Sequence, residues 1–125
     1  MPMRSWIIWI PGKPVPKGRP RFYKGHALTP KATHDYEKRI KMAWVDKYGL
    51  EFIEDNDITI KVEANSKTAG RCDVDNYLKI ALDGLQGAAY ENDNKVTFAQ
   101  VLKNKVDDPE REGMRILILT GVLDS

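Results

Sequence analysis

The alternation of apolar and polar positions along this chain predicts four longer strands. Residues 5–10 are apolar on both alternating faces, which predicts a buried strand that ends at Pro11. Residues 58–64 alternate between apolar and polar side chains, the pattern of a half-buried strand. Two more strands are expected at 96–103 and 114–120, and the turn-rich stretch between them predicts a hairpin-type connection. Three tryptophans on apolar faces are predicted core residues: Trp6, Trp9 and Trp44.

Helical periodicity occurs twice. Thr29 and Pro30 predict an N-cap followed by a proline in the first turn, and apolar residues then recur at helical spacing as far as Gly49. The second helix carries a continuous apolar stripe that ends near Gly87, formed by Val74, Tyr77, Leu78, Ala81, Leu82 and Leu85. Strands and helices in this order predict a mixed α/β domain of the α+β kind, with two helices on one mixed sheet. The whole chain, 1–125, is expected to form this single domain.

Residues 11–30 form a long irregular segment that contains five of the seven prolines. Its basic residues are Lys13, Lys17, Arg19, Arg21 and Lys24. Loops of this length in a small domain are usually either functional or disordered, and the aromatic residues of this one favour order. Phe22 and Tyr23 are expected to pair as a short strand with residues near Ala27 and Leu28. Their side chains either anchor the loop in the core or stack on opened bases.

Charge is distributed unevenly behind a net charge of +2. Residues 1–50 contain eleven basic and three acidic residues, a balance of +8, whereas residues 51–125 contain nine basic and fifteen acidic residues, a balance of −6. This asymmetry indicates a polyanion-binding surface beside a group of carboxylates. The alternative is a charged surface that binds nothing.

Composition excludes several classes of protein. With 42% hydrophobic and 30% charged residues, the chain is globular. No apolar run approaches the roughly 20 residues of a membrane span, and the run 6–10 lacks the flanks of a signal peptide, so a cytoplasmic location is expected. The single Cys72 excludes an internal disulfide and a multi-cysteine zinc site. With His26 and His34 as the only histidines, any metal would need carboxylate ligands.

Acidic residues gather at the start of the second helix and before the strand 96–103. Asp73 and Asp75 begin the helix, and Asp93 lies in an acidic turn formed by residues 91–94. A helix start and a strand start can meet at one edge of a sheet, which would create the oxygen-rich site that Mg²⁺ prefers, completed by a substrate phosphate.

A structural interpretation of the same residues stays open. Asp73 would cap the helix, Asp75 would interact with the helix dipole, and Asp93 would be a turn residue. Lys79 lies four residues from both Asp75 and Asp83 on one polar stripe, where it could form a surface ion pair.

Two segments carry a family resemblance. The run DVDNYLKIALDGL at 73–85, followed by DNKV at 93–96, resembles the signature of RusA-type Holliday junction resolvases, D-x-D-N-x-x-K-x-x-x-D-x-L and then an acidic pair before Q-V. The segment PVPKGRPR at 14–21 is similar to the basic N-terminal motif of phage and prophage members. In this chain Asn92 replaces the first acid of the pair, and Lys95, which could add a phosphate contact, replaces the glutamine. The resemblance covers essentially the whole chain.

The resemblance implies a RusA-like fold, a two-fold dimer, and an endonuclease that resolves four-way DNA junctions by paired nicks in recombination and repair. It implies Mg²⁺, with Mn²⁺ as an alternative ion, held by Asp73, Asp75 and Asp93. It makes Lys79 an essential lysine that either orients the attacking water or stabilises the transition state. Phosphate contacts are expected from Lys13, Lys17, Arg19, Arg21, Lys24, Lys67 and Arg71. Asp83 and Glu91 receive no assigned role.

Two other functions remain open at this point. One is a non-catalytic module of the same fold that binds branched DNA, and the other is a structural or interaction domain that binds no nucleic acid. The intact acids and lysine of the motif favour the endonuclease. Covalent catalysis has no support, because Cys72 has no obvious histidine partner and adjoins an acid.

Overall fold

The computed structural model describes residues 3–18, 21–23, 26–28, 30–68 and 73–121, with the backbone alone for 21–23 and 26–28. Arg19, Lys24, Thr29, Arg71 and Cys72 lie outside the described residues. The elements in chain order are β1 (Arg4–Pro11), β2 (Arg21–Tyr23), β3 (His26–Leu28), α1 (Lys31–Tyr48), β4 (Ile58–Ser66), α2 (Val74–Leu85), β5 (Val96–Lys105) and β6 (Gly113–Thr120). Single turns of 3₁₀ helix, Asp93–Lys95 and Pro109–Arg111, precede β5 and β6.

Strands β1, β6, β4 and β5 form a mixed sheet in that order, and β2 pairs with β3. Strand β4 is antiparallel to β6 and parallel to β5. The predicted hairpin between β5 and β6 is therefore wrong, because β4 lies between them. Burial is consistent with this order. Met114, Ile116 and Ile118 of β6, an inner strand, are buried, whereas the edge strand β5 is largely exposed.

Both helices pack on one face of this sheet, which confirms the predicted α+β architecture. Ile58, Ile60, Val62 and Ala64 of β4 are each no more than 1% exposed beneath the helices. Burying an isoleucine or valine side chain contributes roughly 1.5–3 kcal/mol. The helices approach closely at Gly84, where a Cβ atom would lie 2.8 Å from a side-chain atom of Ile40 on α1.

No described element covers the other face of the sheet. The sequence predicts that β1 is buried on both faces, but only Ile8 and Ile10 are buried, while Ile7 and Trp9 are each 40% exposed. Trp9 is therefore not a core residue. Trp44 is buried and Trp6 packs partly buried against the core, as predicted. One-sided coverage of this kind is common where antiparallel pairing dominates a sheet.

The helix limits follow the sequence closely. Helix α2 coincides with the predicted apolar stripe, and α1 ends before Gly49, whose φ of +83° suits glycine. At the start of α1, Pro30 occupies the N-cap position and not the first turn. The predicted pairing of Phe22 and Tyr23 with residues near Ala27 and Leu28 is confirmed, because Phe22 pairs with Ala27 and Tyr23 with His26. None of the described helices is long and apolar enough to cross a membrane.

Candidate nucleic-acid and metal site

The start of α2 presents two carboxylates at the surface. Asp73 occupies the N-cap position with an extended backbone, and its side chain makes no capping hydrogen bond. Asp75 lies exposed in the first turn, where the partial positive charge of the helix N-terminus favours an anion. The side chain of Asp73 therefore does not cap the helix, as the structural interpretation predicts that it would.

Lys79 lies exposed on α2, one turn beyond Asp75. Neither Asp75 nor Asp83 forms an ion pair with it, and no other acid within the described residues does so either. The surface ion pair that could have explained this lysine is absent from the described structure. A compact positive charge therefore faces solvent beside the two carboxylates.

Lys17 of the basic loop has the opposite environment. Its Nζ lies 2.9 Å from Asp83 Oδ2 on α2 and 3.2 Å from Glu37 Oε1 on α1. Partial burial disfavours the charged ammonium, but the hydrogen bonds and charges of Asp83 and Glu37 outweigh this effect and raise the pKa of Lys17. Of the lysines expected to contact phosphate, this one is already engaged by two carboxylates.

Backbone contacts attach the same part of the loop to both helices. The amide of Lys17 donates to the carbonyl of Asn76 in the first turn of α2 at 2.9 Å. The next amide, Gly18 N–H, donates to Thr33 Oγ1 on α1 at 3.0 Å. A Cβ atom at Gly18 would lie 2.9 Å from Thr33 Oγ1 and from a ring carbon of Pro30, so this approach requires glycine. The loop is thereby held beside the start of α2.

Asp93 lies beyond the other end of α2. Its backbone N–H donates to Oε1 of Gln86, which follows the last helical residue, at 3.1 Å. Nearby, the buried hydroxyl of Tyr90 donates to the carbonyl of Leu82 at 2.8 Å. Burial raises the pKa of Tyr90, and the negative charges of Asp93 and Asp83 raise it further. These contacts place Asp93 beside the C-terminal part of α2.

The expected meeting of a helix start and a strand start does not occur. Strand β5 is parallel to β4, so the beginning of β5 lies beside the beginning of β4. Helix α2 instead follows the end of β4. Since α2 rises 1.5 Å per residue, about 15 Å of helix separates Asp75 from Leu85. The sheet topology therefore sets Asp93 apart from Asp73 and Asp75.

A family model that describes the endodeoxyribonuclease RusA matches residues 11–116. The match begins at the last residue of β1 and extends into β6, so it includes the basic loop, both helices and the four residues to which the resemblance assigns the chemistry, Asp73, Asp75, Lys79 and Asp93. The chain belongs to the RusA endodeoxyribonuclease family. Membership of this family implies Holliday junction resolvase nuclease activity, and hence a hydrolase that acts on DNA. No curated protein matches the chain at a significant level.

RusA-family nucleases typically depend on a divalent metal. The side chains at the start of α2 provide oxygen donors, the type of atom that such an ion binds. Asp73 and Asp75 offer exposed carboxylate oxygens, the ligands that Mg²⁺ prefers, and such an ion is commonly held by one or two carboxylates together with substrate phosphate. Among the described residues, however, no three Asp, Glu, His or Cys side chains lie close enough together to hold an ion. Asp93 is thus not gathered with the other two acids.

The remaining predicted residues divide into engaged and open groups. Lys95 Nζ lies 3.9 Å from Glu54 Oε2, and Asn92 Oδ1 accepts a hydrogen bond from the Asn94 amide in the 3₁₀ turn, so both departures from the family motif have local partners. Lys13 and Lys67 are exposed, and within the described part of the chain neither forms an ion pair. Arg19, Lys24, Arg71 and the side chain of Arg21 lie outside that part.

Proposed function

We propose that this RusA-family protein is a divalent-metal-dependent endonuclease that resolves four-way DNA junctions by paired symmetric nicks, in DNA recombination and repair in the cytoplasm. The observation that carries this proposal is the exposed Lys79, which stands one helical turn from the exposed Asp75 and has no ion-pair partner within the described residues. The alternative role that the sequence offers for this lysine, an ion pair along the helix, would place it against the acids four residues away.

Asp73 and Asp75 would provide the carboxylate ligands for Mg²⁺ or Mn²⁺. When bound, such an ion polarises a scissile phosphate and lowers the pKa of a bound water. Lys79 would donate hydrogen bonds to phosphate oxygens as negative charge develops on them. Asp93, the third acid that the resemblance implies, would have to approach from the other end of α2, so its contribution needs a separate test.

The basic loop and its surroundings would bind the DNA backbone. Lys13 and Lys67 are exposed for phosphate contacts, together with Arg19, Arg21, Lys24 and Arg71 of the predicted set. Lys17 would act indirectly, because its two carboxylate partners hold the loop against α1 and α2. Two symmetric nicks require two active sites, so we propose a two-fold dimer, the commonest closed oligomer.

A nicking assay on synthetic DNA tests this function. Four-way, three-way and linear duplexes of the same sequence should be incubated with the protein, with and without Mg²⁺. We expect paired nicks in the four-way junction, in Mg²⁺ only, and little cleavage of the linear duplex. Equal cleavage of all three substrates would contradict junction resolution while leaving a nuclease, and no cleavage of any substrate would contradict both.

The second candidate is a non-catalytic module that binds branched DNA, and the separation of Asp93 from Asp73 and Asp75 favours it. This function predicts tight, salt-dependent binding of the four-way junction without nicks in Mg²⁺ or Mn²⁺. The same assay, read beside a gel-shift titration, distinguishes the two functions.

A further inference from the structure

A polar cavity of 530 Å³ opens on the face of the sheet that the helices leave uncovered. It lies at the end of the sheet where β4 and β5 finish and β6 begins, and Trp9 of β1 forms part of its wall. Its volume lies within the range of small-molecule sites, about 300–1,000 Å³. None of the proposed catalytic residues lines it.

The basic residues of this cavity differ in how far their charges are compensated. Arg115 Nη1 lies 3.4 Å from Glu63 Oε2, and its guanidinium lies 5.8 Å from the centre of the Trp9 ring. Lys105 and Arg111 also line the cavity, and within the described part of the chain neither forms an ion pair. Two uncompensated positive charges therefore share one concave surface, which favours an anionic ligand.

Two acids of the segment between β5 and β6 accept hydrogen bonds from backbone amides. Asp108 Oδ1 accepts the amide of Glu110 in the 3₁₀ turn at 2.9 Å, and Glu112 Oε2 accepts the amide of Lys67 at 3.0 Å. Neither carboxylate lines the cavity. The uncompensated charge of Lys105 and Arg111 is thus not cancelled by the wall itself.

The remaining wall suits a nucleotide unit better than a bare ion. Asn104 Nδ2 donates to Asn65 Oδ1 at 2.9 Å, which fixes two amide groups in the wall. The indole of Trp9 is 40% exposed at the same place. An arginine fork and a lysine match phosphate oxygens, whereas amides and an exposed aromatic ring match a sugar or a base.

We propose that this cavity binds a backbone phosphate of a DNA arm between Lys105 and Arg111, with the adjoining sugar or base against Trp9. The inference rests on the proposed function for its ligand, and it adds a second DNA contact on the face opposite α2. Asp73 follows Ser66, the last residue of β4, by seven residues, a reach of at most about 24 Å. At 3.4 Å of rise per base pair, that distance corresponds to roughly seven base pairs of one arm.

A charge-matched pair of double variants tests the site. Lys105→Gln with Arg111→Gln removes two charges from the cavity, and Lys31→Gln with Lys38→Gln removes two exposed charges from α1. Binding of an uncleaved four-way junction should be measured without divalent ions across a salt titration. The cavity variant should lose about one unit of the slope of log K against log salt, because one phosphate contact is lost, and roughly tenfold in affinity at low salt. The α1 variant should lose less than half as much.

Further variants separate charge from geometry and DNA from free phosphate. Lys105→Arg with Arg111→Lys keeps both charges and should restore most of the affinity. Thymidine 5′-monophosphate or inorganic phosphate could raise the melting temperature of the wild type but not of the cavity variant, while the two proteins bind junctions equally. This result would assign the cavity to a free phosphate and overturn the DNA assignment.

The outcomes distinguish this inference from the proposed function. A wild type that nicks junctions, beside a cavity variant that binds like the α1 variant, would overturn the cavity assignment alone. A wild type that binds no DNA would overturn both. Single-turnover nicking at saturating DNA should stay within about twofold of wild type in the α1 variant, whose two lysines lie outside the proposed binding and catalytic residues.

Discussion

Lys17 packs against helix α2 and Lys79 belongs to that helix, but the two lysines have opposite environments. Lys17 is enclosed by Glu37 and Asp83 at 3.2 and 2.9 Å, with its side chain 23% exposed. Lys79 is exposed and has no ion pair within the described residues, although acids stand four residues away on either side. Asp83 accounts for part of this difference, because it pairs with the loop lysine and not with the lysine on its own helix. Asp75 does not pair with Lys79 either.

This difference separates a lysine that stabilises the fold around the site from a lysine whose charge is available to a substrate. A lysine whose charge is satisfied by two carboxylates stabilises the fold and positions the loop, but has little charge left for phosphate. A lysine without a protein partner keeps its hydration until a ligand displaces it, so its positive charge remains available to an anion. Substitutions at the two positions should therefore change different measured quantities.

The largest effect is expected at the carboxylates beside Lys79. Asp75→Asn removes one ligand charge at nearly constant volume, so Mg²⁺-dependent nicking should fall by more than the roughly ten- to hundredfold typical of losing a metal ligand's hydrogen-bonding partner. Junction binding should be unchanged or tighter, because a negative charge near the DNA backbone is removed. Single-turnover cleavage and a gel-shift titration measure the two quantities.

Asp35→Asn is the matched control, since Asp35 is an exposed acid on α1 without an ion pair among the described residues. It should cleave at the wild-type rate. Asp93→Asn belongs in the same series. A loss as large as that of Asp75→Asn would show that Asp93 shares the reaction despite its place at the other end of α2, and wild-type nicking by Asp75→Asn would remove the metal assignment.

Lys79→Ala should lower cleavage by roughly two orders of magnitude, the scale of losing one transition-state stabilising group. Affinity for the uncleaved junction should change much less, because the interaction strengthens as charge develops. The melting temperature should stay close to that of the wild type, since no ion pair within the described residues is lost. Lys79→Arg keeps the charge but replaces a compact ammonium with a planar fork, and it should not restore the rate. Near-normal cleavage by Lys79→Ala would assign this lysine to the solvated surface.

Sequence reasoning succeeds here where the governing interactions are local. The limits of α2 follow from its apolar stripe, the end of α1 from Gly49, and the short β2–β3 pairing from residues a few positions apart. Strand order is not local. Adjacent strands joined by a tight turn usually pair, but β5 and β6 are separated by β4, whose two edges they occupy.

The same limit applies to the site. The motif identifies Asp73, Asp75 and Lys79 as a group because they share one helix turn or the next. The resemblance also implies Asp93, but its grouping with these residues requires that the start of its strand meet the start of the helix, which the parallel pairing of β4 and β5 prevents. The partners of Lys17 could not be predicted, because Glu37 and Asp83 lie 20 and 66 positions away and no periodicity links them to the loop.

Lys17→Met should lower stability more than chemistry. The substitution leaves Glu37 and Asp83 facing each other without a cation, at a cost of about 1–2 kcal/mol, between the values for exposed and buried pairs. For a chain of this size the melting temperature should fall by roughly 3–8 °C. Cleavage at saturating DNA should fall only a few-fold, through a less firmly held loop.

Lys38→Met, at an exposed position of α1, is the control and should melt within about 1 °C of wild type. A hundredfold loss of rate at unchanged melting temperature would mean that Lys17 contacts the substrate directly.

The smallest expected effect is the pH dependence of the Lys17 contribution, and its sign follows from the raised pKa. The folded protein holds this proton more tightly than the unfolded chain, in which lysine titrates near 10.5. A group whose pKa is raised by folding contributes fully below its unfolded pKa and loses that contribution as pH rises through the folded value. The difference in unfolding free energy between wild type and Lys17→Met should therefore be constant from pH 8 to about 10 and shrink above 10.5.

Denaturant titrations of both proteins at each pH measure this difference, with Lys38→Met to account for general alkaline destabilisation. A difference that stays constant or grows through pH 12 would show that the ion pairs with Glu37 and Asp83 are not what Lys17 contributes to the fold.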